Sequence, residues 1–396
     1  VAADCESGLV CNQSTSTCQA TNTGGFDGGI RPDARVDAGP PLPDADTTPD
    51  ADTTPDADLT PDADLRMRNS FGVAARCRML AEAATLDAII ESLELARREQ
   101  LPVVTIGGGS NLLFVSDLDA LLLSPQLLGI EWLGVERGRR HVRVGAGENW
   151  HAFVASSIRA GGFGLENLAL IPGTVGAAPM QNIGAYGVEL ERFVVAVEVY
   201  DRERGEVVRF GRLECGFGYR DSVFKRTGGD RYLVLAVEFA LLTEPDLHLG
   251  YAGLGDELAR AGLGDPSAQD VFDAVCAIRR RKLPDPGKIG NAGSFFKNPI
   301  VSVEHADELR GRHAALPAFP AGTAHRKLAA AWLIEQCGWK GYRRGDAGVH
   351  SEHALVLVNH GDASGREILD LANAIQTNVT ARFGVKLEPE PRVLGQ

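Results

Sequence analysis

Three absences frame this 396-residue chain. No apolar run is long enough to span a bilayer, although 44% of the residues are hydrophobic. Membrane insertion is therefore not expected, and the length suffices for two or three domains with real cores. The body of the chain also has no charge surplus. Residues 1–64 hold thirteen acids against two bases, which accounts for eleven of the thirteen net negative charges. Neither a nucleic-acid surface nor an acidic function class follows. Finally, the stretch from Ile171 to Val188 carries no acidic or basic side chain, while holding four glycines and two prolines. Such a stretch keeps side chains out of the way of something that approaches the backbone closely.

Closely spaced cysteines are missing from the body as well. Cys77, Cys215, Cys276 and Cys337 lie far apart with no CxxC pair, as in a reduced cytoplasmic enzyme. The N-terminal tail points the other way. Cys5, Cys11 and Cys18 in "CESGLVCNQSTSTC" have the spacing of small secreted modules, although three cysteines cannot all pair internally. From Pro43 the tail repeats PDADTT, PDADTT, PDADLT, PDAD. So little apolar surface cannot offset ordering entropy, and a disordered linker is expected over the repeat to residue 64. The larger part of the chain decides for a cytoplasmic location. A start at Val1 rather than Met suggests a trimmed or miscalled N-terminus.

From Leu65 the patterning mixes strands and helices, an α+β enzyme rather than a repeat protein. "TLDAIIESLELARREQ" places Leu86, Ile89, Ile90 and Leu93 on one helical face, with Thr85 as N-cap. Residues 103–106 read as a buried strand that breaks into Gly107, Gly108, Gly109, Ser110 and Asn111. "HVRVGAGENW" is a further strand, "WHAFVASSIRAGG" a helix, residues 327–337 a helix and residues 354–358 a strand.

GGGSN lacks both the GK[ST] of a P-loop and the third glycine of GxGxxG. Alone it fits a tight turn equally well. With the second loop from Pro172 to Gly187 it makes a two-sided cradle for a diphosphate and a flat ring. Valine at Gly109 or Gly176 is then expected to fill cofactor space and leave much of the fold.

"TIGGGSNLLF", "VGAGENWH", "GLENLALIPGTVGAAPMQNIGAYGVEL", "CGFGYRDSVFK", "KLPDP", "NAGSFFKNP", "AAWLIEQCGWKG" and "HALVLVN" follow one another from residue 105 onward. In that order they resemble the UDP-N-acetylenolpyruvoylglucosamine reductases, over the whole chain from about Asn69; "LHLGYAGL" is similar to the tyrosine loop of the type I branch. The tail has no counterpart in the family. The resemblance implies a two-subdomain FAD-binding fold of the vanillyl-alcohol-oxidase type plus a C-terminal α/β substrate-binding domain. Its expected parts are a tail at 1–64, FAD subdomains at 65–130 (with a C-terminal return at 384–396) and 131–283, and a substrate domain at 284–383. It further implies that NADPH reduces noncovalent FAD, since GGGSN lacks a histidine for covalent attachment. Hydride then passes to the enolpyruvyl ether of a UDP-sugar, yielding UDP-N-acetylmuramate for peptidoglycan.

By the same resemblance, Arg220 and Glu390 sit at the substrate carboxylate and Ser294 donates the proton. Gly107 to Asn111, Pro172, Gly173, Thr174, Val175, Gly176, Ala177, Gln181, Asn182, Gly184, Ala185 and Gly187 hold FAD. Tyr219, Tyr251, Lys282 and Asn298 meet the UDP-sugar. From the residues alone, Arg220 fits an ion pair with Asp221 equally well, Ser294 a helix cap, Glu390 a solvated terminus and Lys282 a basic helix end. His350 and His353 lack a third ligand, so no metal is expected. A monomer is expected. Another FAD-linked oxidoreductase acting on an alcohol or hydroxy acid shares the glycine loops, but it has no need for GSFFKNP or the terminal glutamate.

Overall fold

The computed structural model describes residues 9–12, 17–20, 57–251 and 253–396. Near the N-terminus, β1 (Leu9–Asn12) and β2 (Thr17–Ala20) pair as an antiparallel hairpin in which Cys11 stands opposite Cys18. The disorder expected of the repeat falls, up to residue 56, outside the described residues.

At its end the repeat is not a linker. Residues 57–64 form β3 (Ala57–Asp64), antiparallel to β4 (Arg76–Ala83). The reason lies in the period-two placement of small and apolar residues. Ala57 and Ala63 are buried on one face with Leu59 between them, where the earlier repeats carry threonine, and the aspartates point outward. β3 is the edge of a sheet ordered β3-β4-β7-β5, where Pro61 is tolerated. In that sheet β7 (Leu118–Pro125) runs parallel to both β4 and β5 (Val103–Thr105). One face is covered by α1 (Leu86–Arg98), capped by Thr85. The buried stripe of α1 is Ala88, Ile89, Ser92 and Ala96, while Leu86, Ile90 and Leu93 are only partly covered. The small residues allow closer approach to the sheet, which rotates the helix away from its most apolar line.

The middle of the chain forms a five-stranded antiparallel sheet. Its strands are β8 (Ile130–Glu136), β9 (Arg139–Gly145), β12 (Val194–Asp201), β13 (Glu206–Gly211) and β14 (Tyr232–Leu242), in the order β13-β12-β14-β9-β8. The two-residue strands β10 (Gly184–Ala185) and β11 (Val188–Glu189) make a separate hairpin. α2 (Trp150–Arg159), α3 (Leu254–Arg260) and α4 (Ala268–Lys282) share this sheet's core around Trp150, Phe153 and Phe239.

The C-terminal third holds two small sheets. One, ordered β15-β21-β20-β19, uses β15 (Gly290–Ser294), β19 (Arg343–Arg344), β20 (Ala347–Val349) and β21 (Val356–Asn359). The other, ordered β16-β18-β17, uses β16 (Ile300–Ser302), β17 (Ala318–Pro320) and β18 (His325–Leu328). Helices α5 (Val303–Arg312), α6 (Ala330–Gln336) and α7 (Gly365–Phe383) pack with them. Lys327 thus belongs to a strand rather than to the helix expected from residue 327, because α6 begins only at Ala330. The final strand β22 (Arg392–Leu394) returns to pair in parallel with β6 (Leu112–Phe114), just beyond the first glycine loop. Phe71, Leu113 and Phe114 share one core with Phe295, Leu333, Leu357 and Ile375. The end of the chain and its first sheet are therefore one packed body.

Candidate active site

The two glycine loops meet. Ser110 Oγ donates to the Pro172 carbonyl at 3.1 Å, and Asn111 Nδ2 donates to Gln181 Oε1 at 2.9 Å. Their backbones differ in kind. The N–H groups of Gly107, Gly108, Gly109, Ser110 and Asn111 donate to no protein acceptor among the described residues. Five consecutive free donors suit an anion. In the second loop, Val175 N–H donates to the Glu148 carbonyl and Gly176 N–H to the Ala146 carbonyl, and the Val175 side chain is core.

The glycines serve backbone packing more than ligand space, contrary to the expectation for Gly109 and Gly176. A Cβ on Gly109, whose φ is +64°, would lie 1.9 Å from the Arg68 carbonyl oxygen, and one on Gly176 would lie 2.6 Å from Ala146 Cβ. Both contacts are protein on protein, so a valine there would collide with the protein itself.

The second loop's polar residues anchor the turn around Arg220. Gly218 and Asp221 exchange backbone hydrogen bonds across a tight turn whose tips are Tyr219 and Arg220. Asn182, fully buried, donates to the Gly218 carbonyl at 3.1 Å and accepts from Glu191 N–H at 3.0 Å. Asn182 therefore positions the turn, since both ends of its amide bond to backbone. Ser222 Oγ donates to the Met180 carbonyl at 2.7 Å, and Arg220 Nη2 donates to the Gly184 carbonyl at 2.6 Å. Leu170, Asn182, Tyr186 and Arg220 all hold left-handed φ values between 44° and 57°. Strain in side-chain-bearing residues persists where surrounding bonds over-determine it, and such residues collect at functional sites.

Arg220 Nε lies 3.4 Å from Glu390 Oε1, both groups mostly buried, while Asp221 pairs instead with Arg226 at 2.7 Å. The Arg220–Asp221 pair is thus not formed. Nor is Glu390 solvated: burial pushes its carboxyl above the ordinary range, against the pull of Arg220, Lys225 and Lys297. The contact with Arg220 does not reverse the shift, because desolvation outweighs it. The Glu390 carbonyl accepts from Asn111 Nδ2 at 3.3 Å and from Lys225 Nζ at 3.5 Å. This links the first loop, the turn region and the C-terminal strand.

Ser294 closes β15 and caps no helix. Gly293, at φ +68°, breaks the register between Asn291 and Ser294. Immediately after it, the Phe295 carbonyl accepts from Glu390 N–H at 2.8 Å. Arg220 and Glu390 thus meet from distant stretches, and the backbone bond to Phe295 sets Glu390 beside the residue that follows Ser294.

Tyr219 lies between two cations, with Arg220 Cζ 5.4 Å and Lys327 Nζ 4.7 Å from its ring centroid. Asn298, beside the Tyr219 hydroxyl, also caps α6 by accepting from Ala330 N–H at 3.0 Å. Tyr251 is 47% exposed and meets Tyr186 edge to face at 5.1 Å. Lys282 is exposed at the end of α4. His350 and His353 belong to no cluster of three metal-ligating side chains among the described residues. Sequence reasoning missed Lys225, Lys297 and Lys327, whose roles arise only from tertiary placement, and Arg279. A cavity of about 570 Å³ lies elsewhere, between α1 and the turn after β12, and touches none of these residues. The smaller cleft lined by Ile106, Gly107, Thr174, Gly176, Ala177 and Arg392 is where the two loops converge.

Residues 77–211 match the model of an FAD binding domain, and residues 285–394 that of the UDP-N-acetylenolpyruvoylglucosamine reductase C-terminal domain. Over 329 residues the chain is 49% identical to the UDP-N-acetylenolpyruvoylglucosamine reductase of Pseudomonas syringae pv. tomato, covering 83% of this chain and 97% of the relative. The chain belongs to the UDP-N-acetylenolpyruvoylglucosamine reductase family. The reductase of Chromobacterium violaceum is 50% identical over 334 residues, 83% of this chain and 97% of its own. The solved reductase of Thermus caldophilus is 26% identical with a TM-score of 0.57, covering 86% of this chain and 99% of its own. The fold is accordingly the two-subdomain FAD-binding fold with the reductase C-terminal domain, and FAD is the cofactor of this oxidoreductase. The chain's own residues fit it: the free N–H groups of the first loop suit a diphosphate, and Arg392 adds a cation to the cleft. No helix among the described residues is long and apolar enough to cross a membrane.

Proposed function

We propose that this reductase converts UDP-N-acetylglucosamine enolpyruvate to UDP-N-acetylmuramate, a peptidoglycan precursor, with NADPH as electron source. When bound, FAD supplies the hydride relay between the two. The observation that carries the reading is the mostly buried Arg220–Glu390 contact next to the strand end that holds Ser294. As hydride adds at the methylene carbon of the enol ether, negative charge moves toward the substrate carboxylate. Arg220, a permanent cation pinned at Gly184, stabilises that charge where it develops, and Glu390 holds the guanidinium's Nε side. Ser294 delivers the proton to the neighbouring carbon. Tyr219, Tyr251, Lys282 and Asn298 meet the UDP-sugar, and residues 65–130, 131–283 and 284–383 divide the cofactor and substrate roles. The chain acts as a cytoplasmic monomer.

The test is the flavin absorbance of the purified protein. NADPH should bleach the band, and only the enolpyruvyl UDP-sugar should restore it. In Ser294→Ala, bleaching should stay near wild-type speed while restoration slows by about 10²–10⁴-fold. Equal slowing of both steps would assign Ser294 to the flavin site or the fold and remove it from the chemistry.

A further inference from the structure

The start of α2 and the approach to the second glycine loop lie side by side, joined at four points. Val175 N–H donates to the Glu148 carbonyl at 2.8 Å, and Trp150 N–H donates to the Gly173 carbonyl at 3.1 Å. Trp150 Nε1 donates to the Leu168 carbonyl at 2.9 Å. The last contact differs in kind: Leu170 N–H donates to His151 Nδ1 at 3.1 Å. Of the four, this one alone can be lost to a proton.

Leu170 is where the chain turns. It stands in the left-handed region at φ +57°, which a leucine rarely adopts, just before Ile171 and Pro172 open the loop. Side chains hold both of its backbone groups, the N–H by His151 and the carbonyl by Arg279 Nε at 3.2 Å. Arg279 reaches inward because the buried line of Phe272, Val275 and Cys276 along α4 continues one turn further. Such backbone strain persists only where its surroundings over-determine it.

The His151 ring is fixed as well. It lies flat against Phe272, with ring centroids 5.1 Å apart and planes 5° from parallel. An imidazole that accepts at Nδ1 carries its one proton at Nε2 and is neutral. In the imidazolium both nitrogens are donors, and Nδ1–H would face Leu170 N–H donor to donor. Burial and the positive charges of Arg280 and Arg279 hold the ring below the usual 6.5. The carboxylates on the packed elements are bonded elsewhere: Glu166 and Glu148 accept from the N–H groups of Gly164 and Gly129, and Asp273 from Gln269. The buried Cys276 thiol of α4 stays protonated, and residues 167–174 add no titratable side chain.

We propose that His151 is a positioning residue: its neutral ring locks the entry to the second loop at Leu170, and uptake of one proton unlocks it. For FAD the consequence rests on the reading of residues 172–187 as cofactor-holding: the grip on flavin loosens in acid.

The experiment takes the full-length wild type, His151→Asn and His151→Leu from about pH 8 to about pH 5.5, the range in which histidine titrates. Two quantities are read at each pH: protection of the Leu170 amide against hydrogen exchange, and FAD affinity by flavin fluorescence. Asparagine brings an amide oxygen to the Nδ1 position and accepts at every pH, whereas leucine accepts at none. Wild type should keep Leu170 protected at neutral pH and lose that protection only below pH 6.5. Its FAD affinity should fall over the same window by up to about tenfold per pH unit, the limit for one proton. His151→Asn should match wild type at about pH 8 and lack the acid loss in both readouts. His151→Leu should leave Leu170 unprotected and bind FAD roughly 5–100-fold more weakly at every pH, the effect of an unsatisfied N–H. Identical profiles for wild type and His151→Asn in both readouts overturn the proposal, and so does Leu170 protection retained in His151→Leu. If Leu170 protection separates the variants while FAD affinity does not, the lock stands and the cofactor reading of residues 172–187 fails.

Discussion

The two glycine-rich loops look alike in sequence and do opposite things. Among the described residues, 107–111 leave five successive N–H groups without a protein partner, whereas the Val175 and Gly176 N–H groups are paired within the protein. The second loop's contribution comes from its non-glycine residues: Asn182 and Gln181 reach out to hold the Arg220 turn and the first loop. Glycine content marks where backbone meets backbone. Free donors mark where a ligand fits.

Valine at Gly109 is the harshest test of that difference. With φ at +64° and the Arg68 carbonyl in the way, Gly109→Val should fail to give soluble, cooperatively melting protein, and Gly176→Val should behave similarly. A well-folded Gly109→Val lacking only flavin would restore the cofactor-space explanation.

Truncation probes the sheet from which the first loop springs. Removing residues 1–56 should leave melting and flavin content unchanged. Removing 1–64 takes away β3, exposes β4 as an edge and should cost several kcal/mol, on the order of the loss of two buried alanines and a strand's pairing. Thermal melts of the two truncations compare them directly. Equal stability would mean the first sheet does not need its edge.

In the second loop the expected loss is positional. Asn182→Ala leaves two backbone groups unsatisfied and should lower stability by about 2–4 kcal/mol. It should also slow flavin reoxidation by substrate more than flavin reduction by NADPH, since the Arg220 turn loosens. A variant that loses flavin first would return Asn182 to the cofactor.

The smallest effect concerns a carboxylate in the same neighbourhood. Glu166 is buried with the Gly164 N–H and its own backbone N–H on its oxygens, and burial raises its pKa above 4.5. A raised carboxyl favours the folded state's protonated form. It therefore lowers stability as pH rises from about 4.5, and the cost is complete above the folded value. Glu166→Gln should melt slightly higher than wild type at pH 7, by roughly 2 °C, with the gap vanishing below pH 4.5. A gap that stayed constant with pH would show that Glu166 acts through packing alone.

The ordered motifs carried the fold class because each is local and distinctive, and they singled out Arg220 and Glu390, which lie 3.4 Å apart. What escaped was the fate of charges within a run. Arg279 stands in "RRRK" as one base among four, and only its phase relative to Phe272 and Val275 marks it as inward. That signal was present in the helical period. Lys225, Lys297 and Lys327 offered none, since they converge from separate elements. The strand at 57–64 was hidden by composition: a proline and aspartate repeat reads as unstructured unless its alanines are counted two apart.

That strand also gives the gene a margin for error. The eight letters ADLTPDAD at 57–64 follow two overlapping copies of ADTTPDAD, at 45–52 and 51–58. Loss of the unit at 53–58 leaves the strand's wording untouched, and loss of 59–64 supplies the same eight letters with threonine for Leu59. The edge of the first sheet thus keeps its wording through the loss of one six-residue unit.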